Sequence, residues 1–328
     1  MKIFRSLSCL CLIWGLLVFM TGCPQTAHTT EPLGKVYFTY FDTVSYIYSY
    51  AGDSQENFDE NTAIVASTLE EYHRLFDIYY EHSGVNNLCT LNKNAGGEMN
   101  VMMGAVLRPW HDCRTAASSD PANATIPDAA ILEEAAKHTS IDLLEIDEAN
   151  STVRISDPEA SIDVGALGKG YATEKAAQAL EAKGVTSYVL NIGGNIRIIG
   201  TKTDGTGWLT GIKDPANSDS AYIEYINIAN TSCVTSGIYE RFFTVDGVRY
   251  HHIIDKDTLM PSAYFPSVTV ITKDSGLADA LSTALFTMSY EDGLKLVSSI
   301  GGVEVLWVTE SGEKLMTDGF KLLVTEKN

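Results

Sequence analysis

Strand-patterned and helix-patterned segments interleave along this 328-residue chain without a regular strand–helix–strand repeat. That irregular order limits the fold more than any other feature. A doubly wound parallel sheet needs a crossover helix after nearly every strand. Here Lys35–Ala51 (KVYFTYFDTVSYIYSYA) is rich in Tyr, Phe, Val and Ile, as strands are. Asn61–Phe76 spaces apolar residues three and four apart and predicts a helix. Pro127 opens a second helix over Asp128–His138. Short strands are expected near Leu143–Ile146 and Thr152–Ile155, a helix over Tyr171–Lys183, and strands over Ser187–Ile192 and Ile196–Ile199. Tyr222–Ile228, Phe242–Val245 and Ser267–Ile271 read as further strands, Leu277–Ser289 and Asp292–Ser299 as helices, and Val303–Val308 and Lys321–Val324 as terminal strands. The mixture predicts an α+β fold.

Charge narrows the partners. The formal net charge is -19, which argues against nucleic acid or anionic lipid as a direct ligand. Residues 1–22 carry Lys2 and Arg5, no acid, and an apolar run from Leu10 to Met20. That is an export-signal pattern, too short for a convincing membrane span. Met20-Thr21-Gly22-Cys23 resembles a bacterial lipobox. It implies that Cys23 is acylated and anchors the chain to the outer face of the cytoplasmic membrane. The predicted organisation is signal peptide 1–22, flexible tether 23–35 and a single catalytic domain 36–328. Cys89, Cys113 and Cys233 match no zinc or redox spacing and read as small apolar residues.

Three stretches carry candidate chemistry. In Asp163-Val-Gly-Ala-Leu-Gly-Lys-Gly170, glycines flank Lys169 ahead of a helix N-terminus, where free N–H groups favour an anion. Neither the Walker A nor the Rossmann spacing is met. Asp163 is open to two roles, contact with a ligand ring or ribose, and a local Asx-turn. In Gly276–Phe286 (GLADALSTALF), Asp279 and Thr283 stand four apart and share a helix face, with Ser282 beside it. Such hard oxygen donors suit Mg²⁺. In Tyr250–Ser262, His251 and His252 are adjacent, so on a strand only one faces a given cleft. A histidine there is a candidate general base. Arg241 is open to phosphate contact or an ordinary ion pair. No Ser-His-Asp order or H-E-x-x-H motif occurs.

Taken together, six blocks in register resemble the ApbE family of FAD:protein FMN transferases. They are Phe76-Asp-Ile-Tyr79 with Asn86-Asn-Leu88 and Leu91-Asn92; Asp163–Ala172; Asn191-Ile-Gly-Gly-Asn195; Thr235-Ser-Gly237 with Tyr239-Glu-Arg241; His252-Ile-Ile-Asp255; and Ala278–Thr283. The resemblance covers about residues 36–326. It implies an ApbE-like, T-fold-related domain of mixed, largely antiparallel sheets with flanking helices. It also implies that FMN moves from FAD to a Ser or Thr hydroxyl of an acceptor protein, with Mg²⁺ as cofactor and AMP released. By the same resemblance Phe41, Tyr79, Asp163, Lys169 and Ile253 bind FAD. The Ala166 carbonyl, Asp279 and Thr283 hold the metal, Ser282 adds a contact, and His252 activates the acceptor. An FAD diphosphatase and a non-catalytic FAD-binding lipoprotein are the alternatives. The chain departs from the family where Asn92 runs almost directly into Met99-Asn100-Val101, a place where relatives carry a longer helical segment.

Overall fold

In the computed structural model the described residues are 32–96, 113–114, 116–118, 120, 122, 124–150, 152–217 and 221–326. The expected signal peptide, Cys23 and the Asn92–Val101 junction beyond Gly96 lie outside them. The strands are β1 Leu33–Tyr37, β2 Ser45–Ser49, β3 Leu144–Asp147, β4 Thr152–Ile155, β5 Ser187–Ile192, β6 Asn195–Gly200, β7 Trp208–Lys213, β8 Tyr222–Ile228, β9 Ser232–Gly237, β10 Phe242–Val245, β11 Val248–His251, β12 Ser267–Thr272, β13 Glu304–Val308 and β14 Lys314–Met316. The helices are α1 Gln55–Phe76, α2 Leu88–Lys93, α3 Ala129–Ala136, α4 Gly168–Ala182, α5 Ser275–Phe286, α6 Tyr290–Ile300 and α7 Asp318–Leu323.

Eight strands form the main sheet in the order β1-β2-β5-β6-β9-β12-β13-β14. Each strand pairing among the described residues is antiparallel. The fold is therefore α+β, as the order of elements predicts. Alternation decides what each face meets. Ile47, Tyr188, Leu190 and Ile192 pack on Val65 and Leu69 of α1 and on Ala176 and Leu180 of α4. Val268, Val270 and Trp307 pack on Leu281 and Leu285 of α5. On the other face, Ile198, Ile271 and Leu306 meet the β7–β8 hairpin through Trp208 and Ile226, and meet α7 through Phe320. β12 is buried along its whole length because it is central and covered on both faces.

Several boundaries differ from expectation for local reasons. The first strand begins at Leu33, so ordered structure reaches into the segment assigned to the tether. Helix α1 starts at Gln55 because Ser54 caps the Asn57 N–H. Helix α4 starts three residues early, at Gly168, and takes the glycine bend into its first turn. Lys321–Val324 does not form the predicted strand. Thr317 accepts from the Phe320 N–H and opens the short helix α7, which buries Phe320. Cys89 and Cys233 are buried thiols and Cys113 is free.

Candidate functional site

A single cavity of about 1380 Å³ collects the chemistry-bearing segments. Its walls include Tyr79, Asp163, Ala166, Lys169, Asn191, Asn195, Ser236, Arg241, His252, Ile253, Asp279 and Thr283. Six Lys or Arg residues and five Asp or Glu residues line it. A strongly acidic chain thus builds a nearly balanced interior, which removes the long-range penalty against an anionic ligand.

The α4 and α5 helices set the acidic end. Gly170 N–H donates to Asp279 Oδ2 at 2.8 Å. This close approach demands glycine, since a Cβ there would stand 2.3 Å from the Ser275 carbonyl and 2.4 Å from Asp279 Cβ. Asp279 is 4% exposed. Burial raises its pKa, while the Lys169 ammonium and the Gly170 N–H work against that rise. Gly170 is the third residue of α4, so its N–H has no carbonyl partner within the helix and is free to serve Asp279. No backbone donor among the described residues reaches the Ala166 oxygen. The buried Asn195 amide stands beside the Asp279 carboxyl and also favours its charged form, without a well-aligned hydrogen bond from Nδ2.

The hydroxyls nearby are ordered by their donors. Ser282 Oγ donates to the Asp279 backbone oxygen at 2.9 Å and meets Ser236 Oγ at 2.8 Å. Ser236 also lies 3.4 Å from Thr283 Oγ1. Ser282 is wholly buried and is not on the cavity wall, whereas Thr283 is. Ser282 is thus set behind the cavity wall and not on it. Its hydroxyl supports Ser236 and the helix backbone instead.

Of the roles left open for Asp163, the structure shows the Asx-turn. Its Oδ1 accepts the Gly165 N–H at 2.6 Å in an Asx-turn, and the residue still lines the cavity. Asn92 holds this segment. Its side-chain amide donates to the Ile162 carbonyl at 2.8 Å and accepts the Ile162 N–H at 2.7 Å, like a strand partner. Tyr79 faces Asp163. Burial, then the Asp163 charge, raises the Tyr79 pKa. Phe41 does not reach the cavity. With Phe41 and Asp42 in the left-handed region (φ 55° and 51°), the Phe41 ring turns onto His73 at 5.6 Å. Asp42 and Thr43 line the cavity in its place. Gly193, at φ 56°, packs where a Cβ would strike Thr43.

The two histidines divide their work differently from a strand alternation. β11 ends at His251, and His252 sits in the bend that follows, so both touch the cavity wall. His251 is buried, donates Nε2–H to the Ser262 carbonyl at 2.9 Å and accepts the Ile253 N–H at Nδ1. Ser262 in turn donates to the Phe286 carbonyl at 2.8 Å, which ties this bend to the end of α5. His252 Nδ1 donates to the Arg241 carbonyl at 3.1 Å. A carbonyl can only accept, so this bond fixes the tautomer and leaves the Nε2 lone pair open. His252 remains accessible from inside the cavity. Crowding by protein, then the Arg241 charge, pushes its pKa down to about 4. It is neutral at pH 7. Neither Lys169 nor Arg241 has an ion-pair partner among the described residues.

The fold is shared with solved ApbE structures. The ApbE protein of Thermotoga maritima superposes with a TM-score of 0.74 and 30% identity, covering 90% of this chain and 100% of that one. The flavin transferase ApbE of Vibrio cholerae shares the fold, with a TM-score of 0.69 at 24% identity over 89% and 99% of the two chains. Residues 57–307 match the ApbE family, and the chain belongs to it. The FAD:protein FMN transferase of Treponema pallidum is 33% identical over 230 residues, 66% of this chain and 62% of that protein. A Klebsiella pneumoniae FAD:protein FMN transferase is 31% identical over 199 residues, 60% of this chain and 61% of that protein. The matched region thus spans about three fifths of the length of these relatives.

Sequence reasoning missed the supporting residues. Asn92 was visible only as part of a matching block, not as the clamp on Ile162. Glu174 and Arg197, discussed below, gave no signal, because a charged pair on a helix and a strand looks solvated until the fold buries it.

Proposed function

We propose that this chain is an FAD:protein FMN transferase, anchored outside the cytoplasmic membrane through Cys23. The carrying observation is that an open, neutral His252 Nε2 shares one cavity with the oxygen cluster of Asp279, Ala166 and Thr283. The family membership and the names of the relatives support the same reading.

The donor set fits Mg²⁺. It offers a buried carboxylate flanked by the Gly170 N–H and the Asn195 amide, a backbone carbonyl without a backbone donor, and a hydroxyl on the same helix face as the carboxylate. All are hard oxygens, as that ion requires. Asp279, the Ala166 carbonyl and Thr283 would hold it, where it would offset pyrophosphate charge and the charge that develops as the bond breaks. Lys169 and Arg241 supply mobile positive charge beside it. The aromatic residues of the wall, Tyr79 and Tyr239 among them, give flat apolar surface for the rings of FAD.

In the reaction the acceptor Ser or Thr oxygen attacks the FMN phosphorus of FAD. A new oxygen–phosphorus bond forms and the pyrophosphate bond to AMP breaks. His252 Nε2 takes the hydroxyl proton, and AMP leaves with the bridging oxygen. Its low pKa keeps His252 deprotonated and ready at neutral pH.

Mass spectrometry of an acceptor protein incubated with the full chain, FAD and Mg²⁺ tests this. Flavin phosphate bonded to an acceptor hydroxyl, with one AMP per flavin, is expected. Free FMN and AMP with an unmodified acceptor would make the chain a diphosphatase, and intact bound FAD would make it a carrier. For the anchor, Cys23→Ser is expected to move the protein from the membrane fraction to the soluble one. Membrane retention would overturn that assignment.

A further inference from the structure

We propose that Glu174 is a positioning residue whose carboxylate sets the register of α5 against α4 and thereby shapes the divalent-cation seat at Asp279. This rests on the metal reading given above.

Arg197 on β6 is wholly buried. Its Nε meets Glu174 Oε2 and its Nη2 meets Glu181 Oε1, each at 2.9 Å. Both acids belong to α4. The same Glu174 Oε2 accepts the N–H of Ser275, the first residue of α5, at 3.0 Å. One turn further along α5, Asp279 accepts the Gly170 N–H, one turn back along α4 from Glu174. The pairs 174–275 and 170–279 are therefore two rungs of one antiparallel ladder between the helices. The absent side chain of Gly170 lets the backbones touch between those rungs.

If Glu174 released Ser275, one rung alone would set where Asp279 and Thr283 face. That rung uses an oxygen of Asp279 itself. Burying an arginine is costly, and an ion pair inside a protein is often no more stabilising than apolar side chains of the same size. The feature that apolar packing cannot reproduce is the hydrogen bond to the α5 N-terminus. That separates a role in cohesion from a role in positioning.

The experiment uses full-length variants titrated with Mg²⁺ in the presence of FAD, reading flavin fluorescence, with a thermal melt of each. E174L, which has no acceptor for the Ser275 N–H, is expected to melt lower and to raise the Mg²⁺ half-saturation about tenfold, the scale seen when support for a metal ligand is lost. E174L/R197M removes the buried charges together. It is expected to recover most of the melting temperature while its Mg²⁺ half-saturation stays high. A double variant with wild-type half-saturation would reduce Glu174 to a cohesive role and overturn the proposal. Should the double variant melt too low to titrate, S275P decides, since proline at the first helical position removes the N–H donor and leaves the Glu174–Arg197 pair in place, and an unchanged half-saturation overturns the proposal. A wild-type protein whose FAD binding ignores Mg²⁺ would instead overturn the metal reading beneath it.

Discussion

In the proposed reaction the chemistry turns on His252, and the environment of that ring gives two expectations. Replacing it with alanine removes the proton acceptor but little binding surface. Transfer is expected to slow by roughly 10²–10⁴-fold, with FAD affinity changed by less than about threefold in a fluorescence titration. Equal losses in both would assign His252 to binding. The second expectation concerns pH. Burial lowers the pKa of His251, and burial with the Arg241 charge lowers that of His252 to about 4. An unfolded histidine titrates near ~6.5. Below that value the unfolded chain binds more protons than the folded one, so stability present above pH ~6.5 is lost as pH falls toward about 4. Denaturant melts are expected to weaken already between pH ~6.5 and ~5, above the ordinary range of carboxylates. A flat profile across that window would contradict the neutral assignment of both rings.

Elements show where sequence pattern suffices and where it stops. The β5–β6 pair, the β3–β4 hairpin and helix α5 were legible because alternation and helical spacing report burial directly. Lys321–Val324 misled because four apolar-leaning residues carry no period, and a single cap at Thr317 outweighs their strand propensity. β9 and β11 went unread because Ser232-Cys-Val-Thr-Ser-Gly237 and Val248-Arg-Tyr-His251 owe their strand state to their neighbours. The helix contact at Gly170 could be suspected from the glycine alone, but its partner Ser275 could not. It gives a sharp expectation. Gly170→Ala forces α4 and α5 apart and is expected to cost about 1–3 kcal/mol in chemical denaturation, with weaker Mg²⁺ binding. Unchanged stability would mean that the two backbones do not touch. Asn92→Leu removes both bonds to Ile162 and leaves that backbone unpaired, and a loss of about 1–3 kcal/mol is expected, with a raised KM for FAD. An unaltered KM would show that the clamp does not serve Asp163.

At the scale of the molecule, residues far apart in sequence meet because the antiparallel sheet brings β6, β9 and the His252 bend to the cavity that α4 and α5 close. The matching blocks pointed from sequence to residues that line the cavity, while the placement of each side chain needed the fold. Ser282 supports the helix, Phe41 packs on His73, and Thr283 and His252 face the cavity. The near-balance of charge inside the cavity makes the proposed pyrophosphate ligand compatible with a chain of net charge -19. The proposed cation seat requires that Asp279 make turnover of FAD dependent on a divalent ion. The direct measurement is the rate of AMP release from FAD as Mg²⁺ is removed with chelator and restored, for the wild-type chain and for Asp279→Ala. Wild-type release that stops and returns with Mg²⁺, beside a variant slower by roughly 10³-fold at any Mg²⁺ concentration, is the predicted result. A variant that keeps wild-type, Mg²⁺-dependent release would contradict it.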